Sequence, residues 1–288
     1  MKYEDLVKNV FSQKYLLEFI KKSLDLSLEK LGFSRNFIDD LSRDLTNLNI
    51  EEFIVKHNEE LENVQIQHFF NNLVPKYFSE YVVPEIPKKG KVLDLGCGFG
   101  TLIQILKIRG ANNELVGIDI KESSDWDLIK NSNVRLEVIP EENFIDFVKN
   151  ELPESVVATW TFHHMEYDEQ ERYLKTLGGV LKSGATIIIL EDSYAESLEP
   201  EFGRKLYEEF MLQKSADRQK IMGALDWIAN CILSKRTTMP VPFSYRTLED
   251  WKKILEKTGF QVTKMRFLGF PKYRDINTPQ SIIVARKL

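Results

Sequence analysis

The sequence predicts an α/β fold in which helices cover both faces of a mostly parallel sheet. Three observations predict this class. Apolar strand patterns alternate with helical patterns over residues 87–288. A glycine-rich turn at residues 96–100 follows the first of those strands directly. The run Ala185–Leu190 is almost continuously apolar and β-branched, which is typical of a strand buried on both faces.

Length and composition set the first limits. The chain has 288 residues, enough for one large α/β domain or for a core domain with a helical addition. Its two cysteines, Cys97 and Cys231, cannot build a disulfide framework, so we expect a reducing, cytoplasmic location. We expect no membrane span, because no apolar stretch approaches the roughly 20 residues that one needs. The N-terminus also lacks the apolar region of a signal peptide.

The net charge of −5 is unevenly distributed. Residues 1–86 carry ten basic and fifteen acidic side chains, whereas residues 87–288 carry equal numbers. Residues 246–274 include eight basic side chains and only three acidic ones. A solvated helix face explains this cluster, and a polyanion-binding surface is the alternative. A dedicated nucleic-acid binder would be more basic overall, so a nucleic-acid partner is not our first expectation.

The segment 1–86 predicts an N-terminal helical cap. Apolar residues recur at helical spacing over residues 3–31, and Ser34 is placed to cap a second helix. A third helical region extends over residues 50–81 with a break. Pro87 lies at the boundary to the α/β part. Aromatic residues near the end of this cap are candidates to close a ligand pocket: Phe69, Phe70, Tyr77 and Tyr81.

The segment 87–288 predicts the second domain, with strand and helix in alternation. Helices are expected at Thr101–Ile108, Asp168–Leu181 and Thr247–Lys257, the last with Thr247 and Asp250 placed as an N-terminal capping box. A stretch without strand pattern, residues 193–240, predicts a helical lid whose apolar side chains are Tyr207, Phe210, Met211, Met222 and Trp227. Packing on the sheet is the alternative for most of them. The expected strands are Lys91–Leu95, Glu114–Ile120, Val134–Ile139, Val156–Phe162, Ala185–Leu190, Gln261–Leu268 and Ser281–Lys287.

An acid and three alternate glycines follow the first strand: Asp94, Gly96, Gly98 and Gly100. Glycine lets the backbone turn sharply and approach a ligand closely. The dinucleotide fingerprint is G-x-G-x-x-G, and here the third glycine comes one residue early. Asp119 ends the second strand, 19 residues after Gly100, where an acid receives ribose hydroxyls in related folds. A tight strand-to-helix turn without a ligand is the alternative.

The pattern D-x-G-x-G-x-G resembles motif I of the class I S-adenosylmethionine (SAM)-dependent methyltransferases. The resemblance continues over about residues 88–288. It implies a Rossmann-like seven-stranded sheet of order 3-2-1-4-5-7-6, mostly parallel, with the seventh strand antiparallel. The matching landmarks are His163-His164 after strand four, Leu181-Lys182 with Gly184 before strand five, and Tyr245-Arg246-Thr247, Trp251 and Gly259-Phe260 before strand six.

The resemblance also implies the cofactor, SAM, bound at the carboxyl ends of strands one and four. Glu141 departs from the family's form, in which an Asp followed by a small residue receives the adenine amino group. A solvated acid is an equal alternative there. The expected cofactor-binding residues are Asp94, Gly96, Cys97, Gly98, Gly100, Asp119, Ile120, Glu141, Thr159 and Trp160.

The implied reaction is methyl transfer to an oxygen or nitrogen atom of a small-molecule acceptor. In-line displacement depends on positioning and desolvation, and an oxygen nucleophile also needs a base. The candidate bases or substrate anchors are His163, His164, Glu191 and Asp192, and turn packing or helix capping is the alternative for each. We expect no metal ion, because strand four lacks the acid used by catechol-type enzymes and no H-E-x-x-H or paired-Cys motif exists.

Two other functions stay open at this stage. One is an RNA or protein methyltransferase that uses the basic surface at residues 246–274. The other is a non-catalytic SAM-binding module that regulates a partner. The helical segments are also candidates for a homodimer interface.

Overall fold

The computed structural model describes residues 3–64, 73–110, 112–123, 125–129, 133–271 and 278–288. The strands are β1 (Lys89–Leu95), β2 (Asn112–Asp119), β3 (Val134–Val138), β4 (Ser155–Thr159), β5 (Thr186–Asp192), β6 (Phe260–Gly269) and β7 (Gln280–Lys287). The α-helices are α1 (Tyr3–Phe11), α2 (Lys14–Leu31), α3 (Arg35–Asp44), α4 (Ile50–Lys56), α5 (Asn58–Val64), α6 (Leu73–Tyr77), α7 (Thr101–Ile108), α8 (Trp126–Ile129), α9 (Phe144–Glu151), α10 (Tyr167–Val180), α11 (Arg204–Met211), α12 (Ser215–Trp227) and α13 (Leu248–Lys257).

In the described residues the strands form one seven-stranded sheet of order β3-β2-β1-β4-β5-β7-β6. The pairs from β3 to β5 are parallel, and β7 runs antiparallel to β5. The predicted order and the antiparallel seventh strand are therefore confirmed. The chain leaves β1 toward β2 on one side and returns to β4 on the other. Ligands of doubly wound folds bind at this switch point, at the carboxyl ends of the strands.

The centre of the sheet is apolar across the strands. Leu93 of β1 pairs with Val116 of β2 and Val156 of β4, and all three are fully buried. Every residue of β4 and β5 is buried, as expected for parallel strands covered on both faces. Each buried Val, Leu or Ile side chain contributes about 1.5–3 kcal/mol to folding. The packed apolar core therefore holds the strand ends at the carboxyl edge of the sheet in fixed positions.

Local signals in the sequence explain most helix boundaries. Ser34 accepts a hydrogen bond from Phe37 N at 3.2 Å, and Thr247 accepts one from Asp250 N at 3.1 Å, so both predicted N-caps are confirmed. The helix expected over residues 3–31 is interrupted at residues 12–13. The region 50–81 contains α4, α5 and α6 and a π-helical turn over Phe78–Val82.

The end of β4 and the helix before it also differ from the sequence prediction. The fourth strand ends at Thr159 instead of Phe162, because Trp160 adopts a left-handed backbone conformation with φ 53°. Helix α9 was not predicted between the third and fourth strands. Its buried residues Phe144 and Val148 lie four positions apart, which is one apolar stripe on a short helix.

The chain forms two compact units, one of residues 1–74, 199–245 and 268–279 and one of residues 75–198, 246–267 and 280–288. The predicted division at residue 86 stays a prediction. The first unit combines N-terminal helices with the predicted lid: Trp227 lies edge-on to Phe11 at 6.0 Å, and Phe210 lies 6.3 Å from Phe19. Among the lid's apolar side chains, Tyr207, Phe210, Met222 and Trp227 are buried.

None of the described helices combines the length and the apolar character that crossing a membrane requires. Phe69 and Phe70, expected near the pocket, lie outside the described residues.

Two neighbouring glycines of α10 offer a matched test of the packing in the second unit. An alanine Cβ at Gly178 would overlap the backbone carbonyl oxygen of Thr258, whereas one at Gly179 would meet nothing within 4 Å. We expect Gly178→Ala to lower the free energy of unfolding by about 1–3 kcal/mol. Gly179→Ala should raise it by about 0.5–1 kcal/mol, because alanine favours a helix. Urea denaturation measures both, and equal effects would contradict this packing.

Candidate active site

The glycine turn lies between β1 and α7. Gly96, Gly98 and Gly100 have φ values of 71°, 52° and 77°, a left-handed region that side chains rarely adopt. At Gly96, a Cβ would also lie 2.5 Å from Cγ2 of Thr161. Glycine is therefore required here both for the turn and for the close approach of the segment that follows β4.

The middle of the turn is fixed from the β2 side. Gly98 N donates to Asp119 Oδ2 at 2.9 Å, and Gly98 O accepts from Trp126 Nε1 at 2.8 Å. Asp119 Oδ1 accepts from Ile120 N at 2.7 Å and from Lys121 N at 3.3 Å. A carboxylate offers about four acceptor positions, so Asp119 can hold the turn and still receive a ribose hydroxyl. Ile120, next to it, has 65% of its surface exposed and offers an apolar face.

Asp94 is the most unusual charge of the site. Its side chain is buried, and in the described part of the chain its Oδ1 has no hydrogen-bond partner. Burial, and then the charge of Asp119, raises the pKa of Asp94 to about 8. A buried acceptor without a donor is costly, and a cationic ligand would remove that cost. The residue therefore suits an ammonium or sulfonium group at the turn.

Three further residues expected at the cofactor occupy different surroundings. Cys97 is buried against Gly117, and burial followed by the charge of Asp94 raises the pKa of its thiol. Thr159 is buried at the end of β4. Glu141 forms an ion pair with Arg172 of α10, at the edge of a groove of about 370 Å³.

A buried carboxylate organises the turn after β4. Glu191 Oε1 accepts from Thr161 N at 2.8 Å and from Phe162 N at 2.7 Å. Glu191 Oε2 lies 2.5 Å from His163 Nδ1. A carboxylate oxygen accepts, so Nδ1 of His163 is the donor in this contact. Glu191 thus positions the turn, and its assignment as a base stays a prediction.

The two histidines lie side by side, with ring centroids 4.1 Å apart. His163 is 3% exposed, whereas His164 is half-buried. Their turn is tied back to β1, because the Thr161 hydroxyl donates to Leu95 O at 2.9 Å. The ends of β1, β4 and β5 are therefore linked through hydrogen bonds at the switch point.

Trp160 forms an aromatic cluster beside this turn. Its ring stacks on Tyr77 at 5.6 Å and lies 5.1 Å from Phe78. The indole Nε1 donates to Gln280 Oε1 at 2.6 Å, and the Gln280 amide donates to Asp192. Asp192, a candidate anchor, is buried within this chain of hydrogen bonds.

The structure thus gathers most predicted residues along one edge of the sheet and turns Glu141 toward Arg172. Three residues that the sequence reasoning missed hold this edge together: Trp126, Thr161 and Gln280. Thr161 lies directly after the strand end, so its place in the chain was a usable signal. An isolated Trp and a Gln at the start of a strand give no spacing signal.

The basic surface at residues 246–274 is largely neutralised within the chain. Arg246 is half-buried, donates to Gln170 Oε1 at 2.7 Å, and has a pKa lowered by burial. Lys272 and Arg274 lie outside the described residues. Four lysines have carboxylate partners: Lys252 with Glu256, Lys253 with Asp250, Lys257 with Glu171 and Lys264 with Glu85.

Residues 65–265 match the family model of a methyltransferase domain. The chain belongs to this methyltransferase family. The sheet order and the motif-I turn make it a class I, SAM-dependent member, as the sequence resemblance predicted. SAM is accordingly the cofactor of the fold, and the left-handed glycine turn with the buried Asp94 carboxylate fits its cationic methionine part.

Known proteins similar to this methyltransferase were found by sequence and by structure. An uncharacterized methyltransferase of Staphylococcus carnosus (strain TM300) is 29% identical over 106 residues, 37% of this chain and 49% of that protein. The chain thus spans about half the length of this curated relative.

Two solved structures are also similar. Human N-acetylserotonin methyltransferase in complex with SAM has a TM-score of 0.50 at 15% identity, over 83% of this chain and 59% of that one. Burkholderia thailandensis 1,6-didemethyltoxoflavin-N1-methyltransferase, with 1,6-didemethyltoxoflavin and S-adenosylhomocysteine (SAH) bound, has a TM-score of 0.47 at 13% identity, over 82% and 86% of the two chains. The human structure shares the fold.

The raised pKa of Asp94 gives a stability prediction for the ligand-free methyltransferase. A native pKa of about 8 lies above the value of about 4 in an unfolded chain, so the native state retains a proton that the unfolded state loses. Stability from this group is fully present below about pH 4 and is lost as pH rises through about 8. Asp94→Asn removes the titration. We expect its melting temperature to exceed that of the wild type at pH 8.5 and to match it near pH 4; a difference independent of pH would contradict the assignment.

Proposed function

We propose that the chain transfers the methyl group of SAM to an oxygen or nitrogen atom of a small-molecule acceptor. One observation carries the proposal: Asp94 presents a buried carboxylate oxygen without a partner beside three left-handed glycines. An uncompensated buried acceptor there favours a bound cation, and SAM carries both an ammonium and a sulfonium group. The half-length match to the curated relative leaves the activity of the whole protein a proposal.

In the proposed donor site, Asp94 receives the amino group of the methionine part. Asp119 accepts from a ribose hydroxyl with the acceptor position that Gly98, Ile120 and Lys121 leave open. The exposed side chain of Ile120 packs on the adenine ring. Glu141 is a weaker candidate for the adenine amino group, because Arg172 already neutralises it.

The chemistry follows from what these residues do when the donor is bound. SAM supplies an electrophilic methyl group, so the protein has to position the acceptor and exclude water. His163 is the proposed base, because it lies in the turn after β4 and Glu191 orients its ring through Nδ1. His164 is the half-buried alternative beside it. Asp192 is proposed to act indirectly, because it accepts the hydrogen bond of the Gln280 amide at the end of β5.

The aromatic cluster of Trp160, Tyr77 and Phe78 supports a small acceptor. Apolar and aromatic walls with a few fixed polar groups are typical of small-molecule sites. The alternative RNA or protein acceptor has less support, since four lysines of the basic surface already have carboxylate partners. The selection of the acceptor by the helical insertion and a homodimer through the helical segments stay predictions.

Asp119 tests the donor site directly. A hydrogen bond to a charged group contributes about 1.5–3 kcal/mol. We therefore expect Asp119→Ala to raise the dissociation constant for SAH by about ten- to a hundredfold in calorimetry. Asp146→Ala, on the exposed face of α9 with a 3.7 Å contact to Lys149, is the matched control and should bind like the wild type. Equal affinities of the two variants would refute the ribose assignment.

The acceptor class is tested by isotope transfer. The purified protein is incubated with methyl-labelled SAM and with three separated fractions of a cell extract: small molecules, RNA and protein. We expect label in the small-molecule fraction, and a substantial loss of transfer in His163→Ala. Label in RNA that disappears at high salt would favour the polyanion alternative. Binding of SAM without transfer to any fraction would favour a non-catalytic module.

A further inference from the structure

A buried glutamine links the ends of three chain segments at the carboxyl edge of the sheet. Gln280 is the first residue of β7, is fully buried, and pairs with Asp192 across the β5–β7 ladder. Its Nε2 donates to Asp192 Oδ1, and its Oε1 accepts from Trp160 Nε1 at 2.6 Å. One side-chain amide therefore connects the turn after β4, the end of β5 and the start of β7.

The chemistry of the three groups fixes the orientation of this amide. The indole N–H of Trp160 can only donate, so the amide oxygen of Gln280 has to face it. The amide NH₂ then faces the carboxylate of Asp192, which accepts. A leucine at this position could make neither bond. A glutamate could make both only while it holds a proton.

Trp160 needs such an anchor because its backbone is strained. A φ of 53° is unusual for a bulky side chain and persists only where the surroundings enforce it. The half-buried indole contacts the rings of Tyr77 and Phe78, and its N–H donates to Gln280. The next residue, Thr161, packs against the glycine turn at Gly96, so the backbone of Trp160 lies one residue from that turn.

We propose that Gln280 is a positioning residue for methyl transfer, which holds the Trp160 indole as an aromatic wall beside the sulfonium group of the bound donor. The inference rests on the proposed function, because it requires that SAM bind at the glycine turn. The face of an indole attracts a cation. A fixed indole therefore favours SAM, a sulfonium cation, over SAH, the neutral thioether product. Loss of the amide weakens SAM more than SAH.

The test compares the dissociation constants of SAM and SAH in calorimetry. A cation–indole contact corresponds to a factor of about 3–30 in affinity. We expect Gln280→Leu to raise the SAM constant by about that factor while the SAH constant changes less than about threefold. Gln261→Leu, the same substitution at an exposed position of β6, is the matched control and should leave both constants unchanged.

Gln280→Glu adds a readout that a merely structural role would not change. Two carboxylates at hydrogen-bond distance cannot both be ionised at low cost, so the introduced carboxyl group and Asp192 share a proton at low pH and lose it at high pH. We expect the preference for SAM over SAH to be retained near pH 5.5 and lost near pH 8.5. The wild type measured at both pH values is the reference, because the charges of Asp94, Asp119, Glu191 and His163 act on the sulfonium of SAM and not on the neutral sulfur of SAH.

Trp160→Phe is the second variant, which tests the same hydrogen bond if Gln280→Leu does not fold. It retains a ring for stacking, loses the indole N–H, and should lose the preference for SAM as Gln280→Leu does. An unchanged SAM-to-SAH ratio in these variants, or a Gln280→Glu ratio independent of pH, would overturn the inference while leaving the donor site intact. A wild-type protein that binds neither ligand would overturn the proposed function and the inference with it.

Discussion

The buried carboxylate of Glu191 is the interaction on which the carboxyl edge of the sheet depends. It accepts two backbone N–H groups of the turn after β4 and lies 2.5 Å from His163 Nδ1. These bonds fix Thr161, whose hydroxyl reaches Leu95 O and whose methyl group requires glycine at position 96. Removing the carboxylate would leave two buried N–H groups without acceptors, at about 1–3 kcal/mol each. The Glu191 side chain therefore fixes the geometry at the ends of β1 and β4.

Asp94, the other buried carboxyl group at this edge, differs from Glu191 in its hydrogen-bond partners. Glu191 is satisfied by the protein itself, whereas the described residues leave Asp94 Oδ1 without a donor and raise the pKa of that carboxyl to about 8. The glycine turn thus retains an unfavourable free energy from this buried acceptor, which a cationic ligand would remove. Glu191, whose hydrogen bonds stabilise the turn, and Asp94, which can bind a cation, therefore lie on neighbouring parts of the same sheet edge.

Periodicity and motif spacing predicted the parts of the fold that depend on local sequence. The capping roles of Ser34 and Thr247 follow from such signals, whereas the order of the sheet was implied by the family resemblance. The early end of β4 could not be predicted, because a left-handed Trp160 is imposed by tertiary contacts with Tyr77, Phe78 and Gln280. Gln280 lies 120 residues from Trp160 in the chain, and no local pattern connects them. Likewise, sequence presents Glu191 as a candidate base, and only the structure shows its three contacts.

The measurement that tests the account most directly is a crystal structure of the protein with SAH bound. The account predicts the amino group of SAH within hydrogen-bond distance of the Asp94 carboxylate and a ribose hydroxyl on Asp119. It also predicts that the sulfur atom faces the Trp160 indole. SAH bound away from the glycine turn, or bound there with Asp94 still lacking a donor, would contradict it.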